Sequence, residues 1–192
     1  RHADNPAFRA DMVATLQDSA GRMNDMLARL SQHHRARTDA PVAVPLAPLA
    51  RRVAKTRRAQ HPIEVSSSGA PLAIADPATL ETLLGHLIQN AIEASAADAP
   101  VRIEVRSEKE EARIDVIDRG AGMSPAFIRD KLFKPFVSSK PGGFGIGAFE
   151  AQKLAAEMGG RIEVKSSEGK GSRFRVVLRA AGGAGNEVGQ AA

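Results

Sequence analysis

The chain has 192 residues, of which 43% are hydrophobic and 26% charged, with a net charge of +5; that is room for one ordinary domain plus an appendage. Cys, Trp and Tyr are absent, which excludes disulfides and Cys-based zinc sites and argues against aromatic stacking on nucleic-acid bases. No apolar run approaches the roughly 20 residues of a membrane span, no secretory signal is visible, and the opening on Arg1 with a first Met at Met12 leads us to expect a piece of a longer protein.

Residues Asn5 to His34 read as one long helix, with Asn5 as N-cap and Pro6 in the first turn. Val13, Leu16, Ala20, Met23, Leu27 and Leu30 alternate steps of three and four, the seam of a helical hairpin or bundle. The Pro/Ala-rich run from Thr38 to Ala50 reads as a linker that holds a short β-like Val42 to Val44. A basic helix to about Gln60 follows. Its Leu46, Leu49 and Val53 share one face, so the cations from Arg51 to Arg58 read as a solvated face, not a nucleic-acid patch.

His61-Pro62 breaks that helix, and Ile63 to Ser68 and Leu72 to Ala75 read as strands. Asp76-Pro77 starts a helix with the apolar stripe Leu80, Leu83, Leu84, Leu87, Ile88, Ala91 and Ile92. VRIEVRSE and ARIDVID alternate as an antiparallel hairpin does, turning at Glu108 to Glu111. A helix from Ala148 to Met158 ends at Gly159-Gly160. RIEVKSS and SRFRVVLRA form a last hairpin, turning at Glu168 to Gly171, before a Gly/Ala-rich tail expected to be disordered from Ala181. This order of elements predicts an α+β fold, a two-layer α/β sandwich preceded by a long helix. The divisions are 1–38, 39–180 and 181–192.

The stretch from Asp118 to Gly147 organises the rest. It opens on Asp118, Gly120 and Gly122 and closes on Gly142, Gly143, Gly145 and Gly147, which lead into a helix. A glycine run at a helix N-terminus offers backbone N–H groups and a positive dipole end to phosphate. An ionised acid only accepts hydrogen bonds, which suits an exocyclic amine such as that of adenine. Three prolines (Pro125, Pro135, Pro141) and four phenylalanines (Phe127, Phe133, Phe136, Phe144) lie between, as a loop across a nucleotide pocket. Upstream, His86, Asn90 and Glu93 share one edge of the apolar stripe. There an amide oxygen suits a hard cation such as Mg2+.

HLIQNAIEAS (His86 to Ser95), DRGAGM (Asp118 to Met123), KLFKPFVSSK (Lys131 to Lys140) and GFGIGA (Gly143 to Ala148) resemble, in order and spacing, the N, G1, F and G2 boxes of sensor histidine kinases. These belong to the wider ATPase superfamily of gyrase, the Hsp90 chaperones and MutL, with its Bergerat-type ATP-binding fold. The resemblance covers Pro41 to about Ala180, and GFGIGAFEA is similar to the PrsK-like branch. It implies that residues 1–38 are the remnant of a dimerisation and phosphotransfer hairpin.

By position, the resemblance implies that Asn90 binds Mg2+, that Glu93 sits near the phosphates or their waters, and that Asp118 accepts from the adenine amine. Gly120, Gly122 and Met123 would skirt the base. Phe133, Phe136 and Lys140 would belong to a lid over ATP, with Gly143, Gly145 and Gly147 as its phosphate-side hinge. The implied reaction is transfer of the γ-phosphoryl of Mg·ATP to a histidine. The implied partners are ATP, the chain's own phosphoacceptor helix, a response regulator and a second copy paired through the N-terminal helix, with no nucleic acid. A cytoplasmic portion of a protein that has room for a membrane anchor is implied as well.

Two positions depart from the pattern. His86 stands where the family often has Asn and hydrolytic cousins have Glu, and reads as a bystander on the pocket rim or as a base. Ala148 stands where Leu is common. A hydrolytic ATPase, an anti-sigma-type serine kinase and a non-enzymatic nucleotide sensor share these boxes, and the first two usually carry that Glu. None of the five histidines opens the His-acid pair of a family phosphoacceptor, so the acceptor is expected upstream of Arg1.

Overall fold

The computed structural model describes residues 40–138 and 145–182, which fall within one compact unit beginning at Ala40. The helix expected from Asn5 to His34, the segment 1–38, Lys140, Gly143 and all but two residues of the expected tail lie outside the described residues. Within them the order is β1 (Val42–Pro45), α1 (Leu46–Arg57), β2 (Ile63–Ser68), β3 (Leu72–Ala75), α2 (Pro77–Ala94), β4 (Val101–Glu108), β5 (Glu111–Ile117), α3 (Pro125–Asp130), α4 (Gly147–Glu157), β6 (Arg161–Ser167) and β7 (Gly171–Arg179). The main sheet runs β2-β4-β5-β7-β6. It is parallel at β2-β4 and antiparallel elsewhere; β1 and β3 pair separately as an antiparallel ribbon. Helices over a mixed sheet make the expected two-layer sandwich.

Alternation builds the sheet side of the core, since successive strand residues point to opposite faces. Val101, Ile103 and Val105, then Ala112, Ile114 and Val116, then Phe174, Val176 and Leu178 are all buried. Helix α2 lays Leu80, Leu83, Leu84, Leu87, Ile88 and Ala91 against them. It starts as its sequence predicts. The Asp76 side chain accepts from the Thr79 N–H at 2.6 Å, and Pro77 occupies the first turn, where its missing N–H is no loss.

Three expectations need correction. The described part of the expected Thr38 to Ala50 linker, from Ala40, is structured: Val42 to Pro45 pair with Leu72 to Ala75, and α1 already begins at Leu46. Pro48 does not oppose this, because a first-turn N–H has no partner within the helix. Leu46, Leu49 and Val53 are buried, so their burial outweighs the apparent linker composition. Helix α1 then stops at Arg57, short of Gln60. Finally, the loop expected between the two glycine runs contains a helix, α3, whose start is capped by Ser124 Oγ accepting from the Phe127 N–H at 3.2 Å.

The outward face of the sheet is charged, and one carboxylate there is wholly buried. Asp115 has no exposed surface. It accepts from Arg175 Nε at 2.7 Å and Nη2 at 3.1 Å and from Arg106 Nη1 at 3.0 Å. Burial pushes its pKa up, but the hydrogen bonds and charge of Arg175, with Arg106 and Arg173, outweigh this and hold it below the ordinary value. The unfolded chain therefore binds more protons than the folded one in the carboxylate range. The stabilisation is complete above the ordinary carboxylate pKa and is lost as pH falls through the lowered folded value. Removing one partner of a buried pair costs about 3 kcal/mol where the arginines still reach solvent. Urea unfolding of Asp115→Asn at neutral pH is expected to show a loss of that order. The gap to wild type should close as the pH is taken below about 4; a gap independent of pH would contradict the assignment.

Candidate functional site

Asp118, at the C-terminal end of β5, is 4% exposed. Its Oδ1 accepts from the Gly120 N–H at 2.9 Å and the Ser172 N–H at 3.2 Å, while its own N–H donates to Ser172 O at 2.9 Å. One oxygen thus closes the turn after β5 and ties it to β7. A carboxylate buried this way is tolerated because hydrogen bonds replace its lost water. Ser166 continues the tie: its Oγ accepts from the Met123 N–H at 2.9 Å and donates to Gly171 O at 2.9 Å. Ser166, Gly171 and Ser172 were not singled out from the sequence. The small residues flanking the last turn, set against an acid at the end of β5, were the available signal.

The backbone must come close for this to form. A methyl group on Gly120 would stand 1.9 Å from Ala94 O, at the end of α2. One on Gly171, at φ +83°, would stand 2.1 Å from Asp118 O. Gly122 abuts Ser167 in the same manner. Farther along, a Cβ at Gly145 would lie 2.5 Å from Val137 N, so Gly145 packs against Val137 of the phenylalanine-rich segment. A Cβ at Gly147, the first residue of α4, would lie 3.0 Å from Asn90 Oδ1.

Three of the four motif regions therefore meet on α2: the Asp118 loop at Ala94, and the last glycine, Gly147, at Asn90, with the phenylalanine-rich segment joined through Val137 to Gly145. Phe133 packs partly buried on the core, whereas Phe136 is 50% exposed at φ +62°, an unusual backbone for a bulky residue. Glu93 Oε1 accepts from Gln89 Nε2 at 2.9 Å, and Gln89 Oε1 in turn accepts from Arg57 of α1. His86 is not a bare rim residue. Its Nε2 lies 3.1 Å from Glu150 Oε2 of α4.

A cleft of about 640 Å³ opens beside Asp118, lined by Ile117, Ile128, Ser166, Lys170 and Ser172 among others. Of the candidate site residues only Asp118 lines it; Asn90, Glu93, Gly145 and Gly147 do not. The described residues hold no cluster of three or more His, Cys, Asp or Glu able to ligate a metal. A metal here would need oxygens from a ligand and water beside any from Asn90.

Residues 75–182 match the family described as histidine kinase-, DNA gyrase B-, and HSP90-like ATPase. The nitrogen regulation protein NtrY of Azorhizobium caulinodans is 32% identical over 136 residues, which is 65% of this chain and 18% of that protein. The chain thus spans less than a fifth of this relative's length. The catalytic domain of histidine kinase ThkA superposes with a TM-score of 0.63 at 25% identity, over 72% of this chain and 95% of that one. Full-length ShkA in complex with AMPPNP superposes with a TM-score of 0.67 at 23% identity, over 92% of this chain and 40% of that one.

The glycines sort by what surrounds them. Gly171→Ala is expected to destabilise the fold by about 2 kcal/mol, through the clash with Asp118 O and the left-handed φ. Gly85, inside α2, has only Arg57 Nη2 within reach, at 3.9 Å, so Gly85→Ala is expected to stabilise by about 0.5 to 1 kcal/mol. Denaturant midpoints measure both; equal effects would contradict the close approach at Asp118.

Proposed function

Because the chain belongs to the histidine kinase-, DNA gyrase B-, and HSP90-like ATPase family, we propose that it is the ATP-binding catalytic portion of a two-component sensor histidine kinase. The observation that carries this reading is the meeting of the acid-glycine loop and the closing glycines on one helix, at Ala94 and Asn90. Such an arrangement suits a ligand with an amine at one end and phosphates at the other.

In this reading Asp118 accepts from the adenine amine, held in place by the Gly120 and Ser172 N–H groups. Gly122 and Met123 line the base. Gly145 and Gly147 bring backbone amides toward the phosphates, with Gly143 on the same hinge, and Glu93 orders their waters. Phe133, Phe136 and Lys140 belong to the covering lid. Asn90 would hold Mg2+ through its amide oxygen, together with phosphate oxygens and water, a donor set this ion accepts. When bound, Mg2+ neutralises charge on the phosphates during transfer.

The reaction is transfer of the γ-phosphoryl to an imidazole nitrogen of a phosphoacceptor helix, with the phosphoryl passed on to a response regulator. The chain contributes by positioning and by excluding water. Residues 1–38 are then the remnant of a dimerisation hairpin in the cytoplasmic portion of the protein. The hydrolytic alternative needs a base; with His86 Nε2 held by Glu150, only its Nδ1 could serve as one.

Calorimetry with ATP tests the site. Asn90→Ala is expected to abolish the dependence of binding on Mg2+. Asp118→Asn keeps an oxygen for Gly120 and Ser172 but replaces its second acceptor with a donor facing the amine, so adenine nucleotides should bind about 100-fold more weakly. Unchanged binding in both variants would refute the assignment.

A further inference from the structure

Helices α2 and α4 meet through two contacts one turn apart. Asn90 touches the first residue of α4, where a Cβ on Gly147 would lie 3.0 Å from its Oδ1. One turn back along α2 and one turn on along α4, His86 Nε2 lies 3.1 Å from Glu150 Oε2. The rungs run in opposite senses along the two helices (86 and 90 against 150 and 147), so the second rung fixes the rotation and spacing that the first requires. Ala148 and Ala151 pack the start of α4 on the core, but burial alone leaves its rotation against α2 to the polar contacts. Its N-cap, Ile146, makes no side-chain hydrogen bond, and Gly147 has no side chain to pack.

We propose that His86 and Glu150 form a positioning pair that sets the affinity of the site for the phosphate end of its nucleotide, by holding Gly147 at the start of α4 against Asn90. The inference rests on the reading of these residues as an ATP site and deepens it. Both side chains are about one-third exposed, and a pair so exposed adds little to global stability. What it controls is a distance. Backbone amides and a metal-binding amide act together on phosphate only while the two helices keep their spacing, and small displacements of aligned groups are costly. Adenine recognition lies on the other side of the site, where Gly120 meets Ala94, and does not depend on this rung.

The test is calorimetry of the whole chain with Mg·ATP and, separately, with adenosine, in His86→Ala, Glu150→Ala, the double variant and His86→Gln. Each alanine variant is expected to weaken Mg·ATP by about tenfold, and the double variant by no more than either alone, as for two residues acting through one contact. His86→Gln, which can still donate to Glu150, should recover most of the loss. Adenosine affinity and the melting temperature should stay near wild type. Losses that multiply in the double variant, adenosine falling in parallel with ATP, no rescue by Gln, or no loss at all would each overturn the pair. Failure of the wild-type chain to bind ATP would overturn the ATP-site reading first, and this inference with it, a result distinct from altered coupling.

Discussion

The carboxylate of Asp118 is the constraint around which this end of the molecule is arranged. It is buried, so it must be hydrogen-bonded, and the donors are backbone groups from two separate places, Gly120 and Ser172. Both arrive only because glycines let the chain pass within contact distance, Gly120 over Ala94 O and Gly171 over Asp118 O. The Ser166 hydroxyl then joins Met123 to Gly171. The turn after β5 is thereby tied to α2, β6 and β7 together, and its acid stands at a fixed place relative to Asn90.

Helix α2 is the post to which the other parts are fastened. Its buried stripe faces the sheet, and its polar edges carry the side-chain links. Toward α1 these are Arg52 with Glu81 and Arg57 with Gln89, which continues to Glu93. Toward α4 they are the Asn90 and His86 contacts. Hydrophobic burial sets how deep α2 sits, and the polar links set how its neighbours are rotated about it. The outward sheet face follows another rule: Asp115 is covered by the arginine side chains that neutralise it, so charge there serves the fold.

Local rules made much of this legible. Asp76 and Pro77 announced the start of α2, and period-two alternation marked β4, β5 and β7. The four motif regions, in order, named the candidate site residues before any geometry. What stayed hidden depends on partners distant in sequence. Val42 to Pro45 forms a strand only because Leu72 to Ala75 lies beside it, and the parallel pairing of β2 with β4 leaves no mark in either strand. Asp115 sits on the outward face of an alternating strand, where charge is expected to be solvated, and its burial comes from arginines on β4 and β7. His86 looked like a rim residue because Glu150, 64 positions later in the sequence, reaches it from another helix.

The central claim is that Asp118 reads an exocyclic amine in a nucleotide pocket. The most direct measurement is competition of GTP against ATP on the wild-type chain, with Mg2+ in excess. Adenine presents an amine to the carboxylate, whereas guanine presents a carbonyl oxygen at the corresponding position, two acceptors facing one another. The account expects GTP to fail to displace ATP at concentrations where ADP displaces it fully. Displacement by GTP as readily as by ADP would contradict it.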